Sequence, residues 1–205
     1  MGSLEKKIRE LEKSPIKKQV EGQITLFENK RDWNELFSEL CFCLLTANYT
    51  AEGGIRIQKK LGFEGFYNLA EDELAHQLIA LGHRFPNARA AYIVQARKIA
   101  EDLPTVFRFD GKNARLWLQG VKGLGMKEAS HFLRNVGFKD VAIIDRHILR
   151  GLKEHDYILQ IPKTITRKQY IEIEKIVEEL GKGLEMDLAR LDLYMWYLKT
   201  GKILK

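Results

Sequence analysis

The chain has 205 residues, 45% of them hydrophobic, which suffices for one sizeable core or two small lobes, and no run of roughly eighteen apolar residues offers a membrane span. Its two cysteines, Cys41 and Cys43, fall short of a four-cysteine cluster and sit in the apolar run CFCLL. They read as buried thiols, which counts against an iron–sulfur centre and a disulfide framework. A net charge of +6 favours a polyanionic partner without naming one.

Residues 3–13 alternate charge at helical spacing until Ser14-Pro15, predicting a short surface helix and no chemistry. Over 32–48 the apolar positions Trp33, Leu36, Phe37, Leu40, Cys41 and Leu44 recur at three and four residues, so this helix should be central. It ends at Thr46-Ala47-Asn48-Tyr49-Thr50, after which another helix runs to Leu61. Residues 71–81 form an amphipathic helix stopped by Gly82, followed by the loop His83-Arg84-Phe85-Pro86-Asn87. A helix over 88–100 then turns Ile93, Ala96 and Ile99 inward. Phe85, an aromatic beside a proline in a short loop, is a candidate stacking or wedge residue, although such a residue is more often core.

Asp110 caps a helix leading to Trp117. In the helix that follows Gly125, the stripe Met126, Ala129, Leu133 and Val136 faces inward and leaves Lys127, Ser130, His131 and Arg134 on other faces. Pro162 precedes a final pair of helices, 166–180 and 184–197, joined by Gly181-Lys182-Gly183. Strand-like alternation is brief everywhere and the five histidines show no zinc spacing, so the expected fold is all-α with neither metal nor cofactor.

The chain is organised around residues 121–145, VKGLGMKEASHFLRNVGFKDVAIID. Val121-Lys122-Gly123-Leu124-Gly125 alternates apolar or basic residues with glycine immediately before a helix, which is a hairpin between helices. Glycine at both positions should free the backbone and uncover N–H groups, and the next helix start adds unpaired donors. An anion fits there, DNA phosphate being the obvious one. Lys127 lies in the first turn, where a cation opposes the helix macrodipole; partial desolvation would add to that, and both effects favour the neutral, nucleophilic amine. Asp145 follows the apolar run Val141–Ile144 and reads as an N-cap at the mouth of a buried segment. Taken singly each residue is more often structural; jointly, behind a glycine hairpin, they read as catalytic. Residues 112–150 hold eight Lys or Arg against three acids, so most of the excess positive charge falls on this region.

The hairpin, with Lys127 early in its second helix and Asp145 downstream, resembles the helix-hairpin-helix DNA glycosylase superfamily. Together with GHRFPNARAAYI and the ending LDLYMWYLKTGKILK, it makes nearly the whole chain similar to the archaeal type 2 branch of 8-oxoguanine DNA glycosylases. The resemblance implies a two-lobed helical fold with the active site in the cleft between lobes. Residues 32–110 would form one lobe, 111–154 the hairpin and catalytic segment, and 1–31 with 155–205 the other lobe. It implies a bifunctional enzyme that excises 8-oxoguanine and cleaves the abasic strand, with Lys127 as nucleophile and Asp145 as its carboxylate partner. Lys122, Gly123 and Gly125 would hold the DNA backbone. Asn48 matches the residue that fills the gap left by a flipped base, where the endonuclease III branch has Gln, and Ala51 stands where that branch has Asp. Trp196 would stack on the damaged base and Lys205 would reach it with the terminal carboxylate. The expected partner is double-stranded DNA containing oxidised guanine, bound by a cytoplasmic, nucleoid-associated monomer that needs no cofactor. The alternatives are a non-enzymatic DNA-binding module, which would need the hairpin but neither Lys127 nor Asp145, and an enzyme for an oxidised pyrimidine or a mismatched adenine.

Overall fold

A computed structural model describes residues 2–205, and all regular structure among them is helical. The first two helices, α1 (Ser3–Glu12) and α2 (Ile16–Phe27), belong to one compact unit with the last three, α9 (Arg146–Glu154), α10 (Arg167–Gly183) and α11 (Leu188–Thr200). The other unit, Lys30–Val136, holds α3 (Trp33–Thr46), α4 (Ala51–Asn68), α5 (Glu71–Ala80), α6 (Pro86–Ala96), α7 (Gly111–Leu118) and α8 (Met126–Asn135). Segment 111–154, one piece in the sequence reading, is therefore divided between the units after Val136.

In the Lys30–Val136 unit, α3 is the core element. Asp32 and Glu35 close a capping box at its start, with Glu35 N–H donating to Asp32 Oδ1 at 2.9 Å and Asp32 N–H to Glu35 Oε2 at 3.1 Å. From Leu36 onward nearly every side chain is buried, which is why its sequence is apolar almost all round. α4 packs along it and breaks at Gly62, whose φ of 60° and ψ of −171° lie outside the helical region. The helix predicted to stop at Leu61 thus restarts one residue later, and Phe63 and Tyr67 join Trp33 and Phe37 in an aromatic cluster. α6 begins at Pro86 rather than at 88, since proline's fixed φ suits the first helical position. Past Ala96 the backbone tightens into a 3-10 turn, Arg97–Ile99, so that Ala100 rather than Ile99 enters the core.

In the other unit, α1 buries Leu4 and Ile8. α2, which has no counterpart among the predicted helices, buries Val20, Ile24 and Phe27. Arg190 of α11 donates to both carboxylate oxygens of Glu21 on α2, Nε to Oε1 at 2.8 Å and Nη2 to Oε2 at 2.7 Å. Gly181-Lys182-Gly183 is not the predicted connector but the last turn of α10. A Cβ on Gly181 would stand 2.8 Å from the carbonyl oxygen of Met186, so glycine is there to let the returning chain approach. The true link is 184–187, where Asp187 caps α11 by accepting from Arg190 N–H at 2.9 Å.

Candidate active site

The hairpin between α7 and α8 is built on one unusual backbone angle. Gly123 has φ 94°, and a Cβ there would lie 2.5 Å from Tyr92 Cδ2 and 3.0 Å from Leu44 Cδ2, so both conformation and space demand glycine. Gly125 departs from the expectation: at φ −85° and ψ −172° it is ordinary extended chain that any residue adopts. It is the N-cap of α8, and no side-chain oxygen caps the helix there, so the first-turn N–H groups lack a side-chain acceptor. Lys122 is exposed, its Nζ 5.8 Å from the centroid of the Tyr92 ring.

Lys127 sits in the first turn of α8 with 25% of its side chain exposed, its Nζ 3.9 Å from Glu128 Oε1, whose side chain is 17% exposed. The rest of α8 differs from the predicted stripe. Ala129 and Leu133 are buried and Met126 only half so, yet Ser130, His131 and Arg134, assigned to other faces, are buried too. Their partners make that affordable. Arg115 donates to Ser130 Oγ at 3.1 Å, His131 lies edge-on to Phe42 at 5.5 Å, and Arg134 Nη2 donates to Asn135 Oδ1 at 2.9 Å. Asn135 Nδ2 in turn donates to buried Glu39 of α3 at 2.6 Å. The C-terminal half of α8 is thereby pinned while its first turn, with Lys127, is less enclosed.

Two further candidates lie in the same unit. Asn48 is exposed with φ 59°, a left-handed conformation that Asn tolerates better than most residues, just beyond the end of α3. Phe85 is 38% exposed at the N-cap of α6, with the Arg84 guanidinium 5.1 Å from its ring centroid.

Asp145 belongs to the other unit. Its Oδ1 accepts from both His147 N–H and Ile148 N–H at 2.8 Å, so it is the N-cap of α9 as the sequence suggested. Neither of these cap bonds uses Oδ2. The preceding extended segment Val141–Ile144 is buried without a β-strand beside it, and two side chains one turn apart on α10 supply what a strand would. The Tyr170 hydroxyl accepts from Ile144 N–H at 3.0 Å and donates to the Ala142 carbonyl at 2.8 Å, and Glu174 Oε1 accepts from Ala142 N–H at 2.9 Å. Tyr170 and Glu174 thus register the segment that presents Asp145. Neither carries a motif; the only signal in sequence is the question of where a buried, unpaired extended run sends its hydrogen bonds.

Trp196, on α11, is half-buried, its ring 4.5 Å from that of His147 at an interplanar angle of 66°, and its indole Nε1 is buried without a hydrogen-bond partner. Gly201, at φ 68°, ends α11 in the left-handed conformation and releases 202–205, in which Lys205 is half-buried. Of the predicted site residues, Asn48, Phe85, Lys122, Gly123, Gly125 and Lys127 therefore fall in Lys30–Val136, and Asp145, Trp196 and Lys205 in the other unit.

Residues 17–186 match the family model described as 8-oxoguanine DNA glycosylase. The chain is 53% identical over 204 residues to the 8-oxoguanine DNA glycosylase/AP lyase of Methanocaldococcus jannaschii, covering 98% of each protein. It is 49% identical over 202 residues to the protein of that name from Korarchaeum cryptofilum, covering 97% of this chain and 96% of that one. The crystal structure of the M. jannaschii glycosylase/lyase in complex with 15mer DNA containing 8-oxoguanine superposes with a TM-score of 0.96 over 98% of this chain and 99% of that chain. A trapped endonuclease III–DNA covalent intermediate, 16% identical with a TM-score of 0.60 over 89% of this chain and 85% of that one, shares the fold. A glycine-built hairpin, a lysine at the head of its second helix and an N-cap aspartate downstream, in a chain so closely matched along its length, leave one assignment: this chain belongs to the 8-oxoguanine DNA glycosylase family.

Proposed function

We propose that this chain is a base-excision repair enzyme that removes 8-oxoguanine from duplex DNA and then cleaves the abasic strand. The observation that carries this reading is the near full-length identity of 53% with the M. jannaschii 8-oxoguanine DNA glycosylase/AP lyase. The damaged nucleotide leaves the helical stack at a cost of a few kcal/mol. Lys127 Nζ, as free amine, attacks C1′ of the sugar and forms a carbon–nitrogen bond. The bond from C1′ to the base breaks, and the base departs with its electron pair and acquires a proton. Asp145, as carboxylate, stabilises the positive charge that develops on the sugar ring. The covalent adduct opens to a Schiff base, which acidifies the C2′ position; loss of that proton expels the 3′ phosphate and breaks the strand.

The remaining candidates divide the binding. Lys122, Gly123 and Gly125 hold the phosphate backbone, Asn48 and Phe85 enter the duplex where the base has left, and Trp196 with Lys205 receives the base. No helix among the described residues is long and apolar enough to cross a membrane. A DNA substrate supports a place of work in the cytoplasm, on the nucleoid, and the proposed enzyme acts as a monomer.

Borohydride trapping tests the reading. Wild-type protein should be trapped covalently on duplex carrying 8-oxoguanine and much less on duplex carrying thymine glycol, whereas Lys127→Gln should trap nothing, cleave nothing and still bind the lesion. A Lys127→Gln protein that traps at the wild-type level would mean that another amine is the nucleophile, and preference for thymine glycol would overturn the substrate.

A further inference from the structure

The Asn48 turn and the Phe85 loop are cross-linked by four side-chain-to-carbonyl hydrogen bonds. α3 ends with carbonyl groups that have no partner further along the helix. Two of them are taken by side chains from the segment after α5: His83 Nε2 donates to the Leu45 carbonyl at 3.0 Å and Arg89 Nη2 to the Ala47 carbonyl at 2.7 Å. In the opposite direction, the Tyr49 hydroxyl donates to the Gly82 carbonyl at 3.1 Å and Arg56 Nη2 to the Leu81 carbonyl at 3.0 Å. The imidazole of His83 also accepts from Phe85 N–H through Nδ1 at 3.1 Å, so the backbone of Phe85 hangs from the ring that caps α3.

Arg89 is the centre of this arrangement. Only 8% of it is exposed, its one hydrogen bond goes to a carbonyl and not a carboxylate, and its Nε–H is buried with no partner, an expensive way to hold two loops together. Its guanidinium lies 6.0 Å from the Phe85 ring centroid and 5.6 Å from that of Tyr92, the ring that covers Gly123 in the hairpin. One buried cation thus touches the residue before Asn48, the side chain of Phe85 and the support of the hairpin.

We propose that Arg89 is a positioning residue for base extrusion, fixing Asn48 and Phe85 as one rigid pair of prongs in register with the hairpin. The proposal rests on Asn48 and Phe85 entering the duplex. It separates the two halves of the reaction: extruding a stacked base needs the prongs, whereas an abasic site has no base to unstack and needs only the lysine.

The test compares single-turnover excision on duplex carrying 8-oxoguanine with elimination on duplex carrying a preformed abasic site, for Arg89→Met, Arg89→Lys, Asn48→Ala and Phe85→Ala. Arg89→Met should slow excision about tenfold or more while elimination stays within about twofold of wild type, because misplacement of the prongs by about 1 Å is costly only where they act. Arg89→Lys, which folds more readily but lacks the planar fork that donates to a carbonyl while lying against two rings, should show the same split in weaker form. If both reactions slow in step with a falling melting temperature, or if excision stays at the wild-type rate in both Arg89 variants while Asn48→Ala and Phe85→Ala slow it, the role of Arg89 is overturned. If Asn48→Ala and Phe85→Ala themselves excise normally, the prongs are misassigned and the failure lies there.

Discussion

Replacing Asp145 with Asn separates capping from chemistry. Both cap hydrogen bonds go to Oδ1, so the amide oxygen of Asn can take over both and only the other position changes from an anionic acceptor to a neutral donor. Asn and Asp are about equal as N-caps, so the stability cost should stay below about 1 kcal/mol, a shift of roughly 2 to 4 °C for a protein of this size. The charge is a different matter. A unit carboxylate about 4 Å from a developing positive charge, at an effective dielectric of about 20, is worth about 4 kcal/mol. Its loss should therefore slow the chemical step about a thousandfold. Tyr170→Phe gives the opposite signature: it strips a buried N–H and a buried carbonyl of the phenol at once, about 3 kcal/mol in all, and should lower the melting temperature by roughly 10 °C while keeping the Asp145 charge, with Glu174 still holding the segment. Single-turnover excision rates and thermal melts on the two variants provide the comparison. If Asp145→Asn melts as early as Tyr170→Phe and excises nearly as fast as wild type, Asp145 is a cap and nothing more.

Lys122→Ala should lower the magnitude of the log–log salt slope for undamaged duplex by about 0.9, one phosphate contact, whatever the sequence; an unchanged slope removes Lys122 from the backbone clamp. Trp196→Ala should weaken binding to the lesion by about 1 to 3 kcal/mol, the usual worth of an aromatic stacking face, with undamaged duplex bound as before. Equal weakening on both duplexes would argue against stacking. Burial holds the His83 imidazole below the ordinary histidine range, and its Nδ1, as acceptor from Phe85 N–H, must be unprotonated. The stabilisation it contributes is complete above that range and is lost as pH falls through the lower folded value. The melting advantage of wild type over His83→Gln should accordingly shrink as pH falls below about 6.5, and a constant difference would refute the assignment.

What could be read from the residues divides along a physical line. Asp110 and Asp145 act through neighbours two or three positions on, and each cap is where the local pattern puts it. Of the two glycines only Gly123 needs its special conformation, and Gly125 reads as its equal in sequence because an i, i+2 glycine pair does not say which member turns. The failures are non-local. Gly181 looks like a breaker because propensity does not see that the backbone of Met186 must pass beside it. Ser130 and His131 look like a solvent face because the groups that receive them, Arg115 on α7 and Phe42 on α3, are far away in the chain, and Arg134 is held by its neighbour Asn135, which is itself tied to Glu39 of α3. Val20, Ile24 and Phe27 of α2 keep the period, but with Gln, Gly and Thr between them the stripe is thin in sequence, and α1 and α11 pack against it.

The division of the chain has a consequence for synthesis. Lys30–Val136 is continuous, whereas the other unit is assembled from both ends of the sequence, with Glu21 of α2 waiting for Arg190 of α11. On the ribosome, the inner unit can close as soon as α8 has emerged, but α1 and α2, made before it, can cover Leu4, Ile8, Val20, Ile24 and Phe27 only in part until α11 follows. In that interval the dense charge of α1 and its neighbourhood, Glu5, Lys6, Lys7, Arg9, Glu10, Glu12 and Lys13, flanks the waiting apolar stripe with solvated groups, the arrangement that opposes aggregation of an exposed hydrophobic segment.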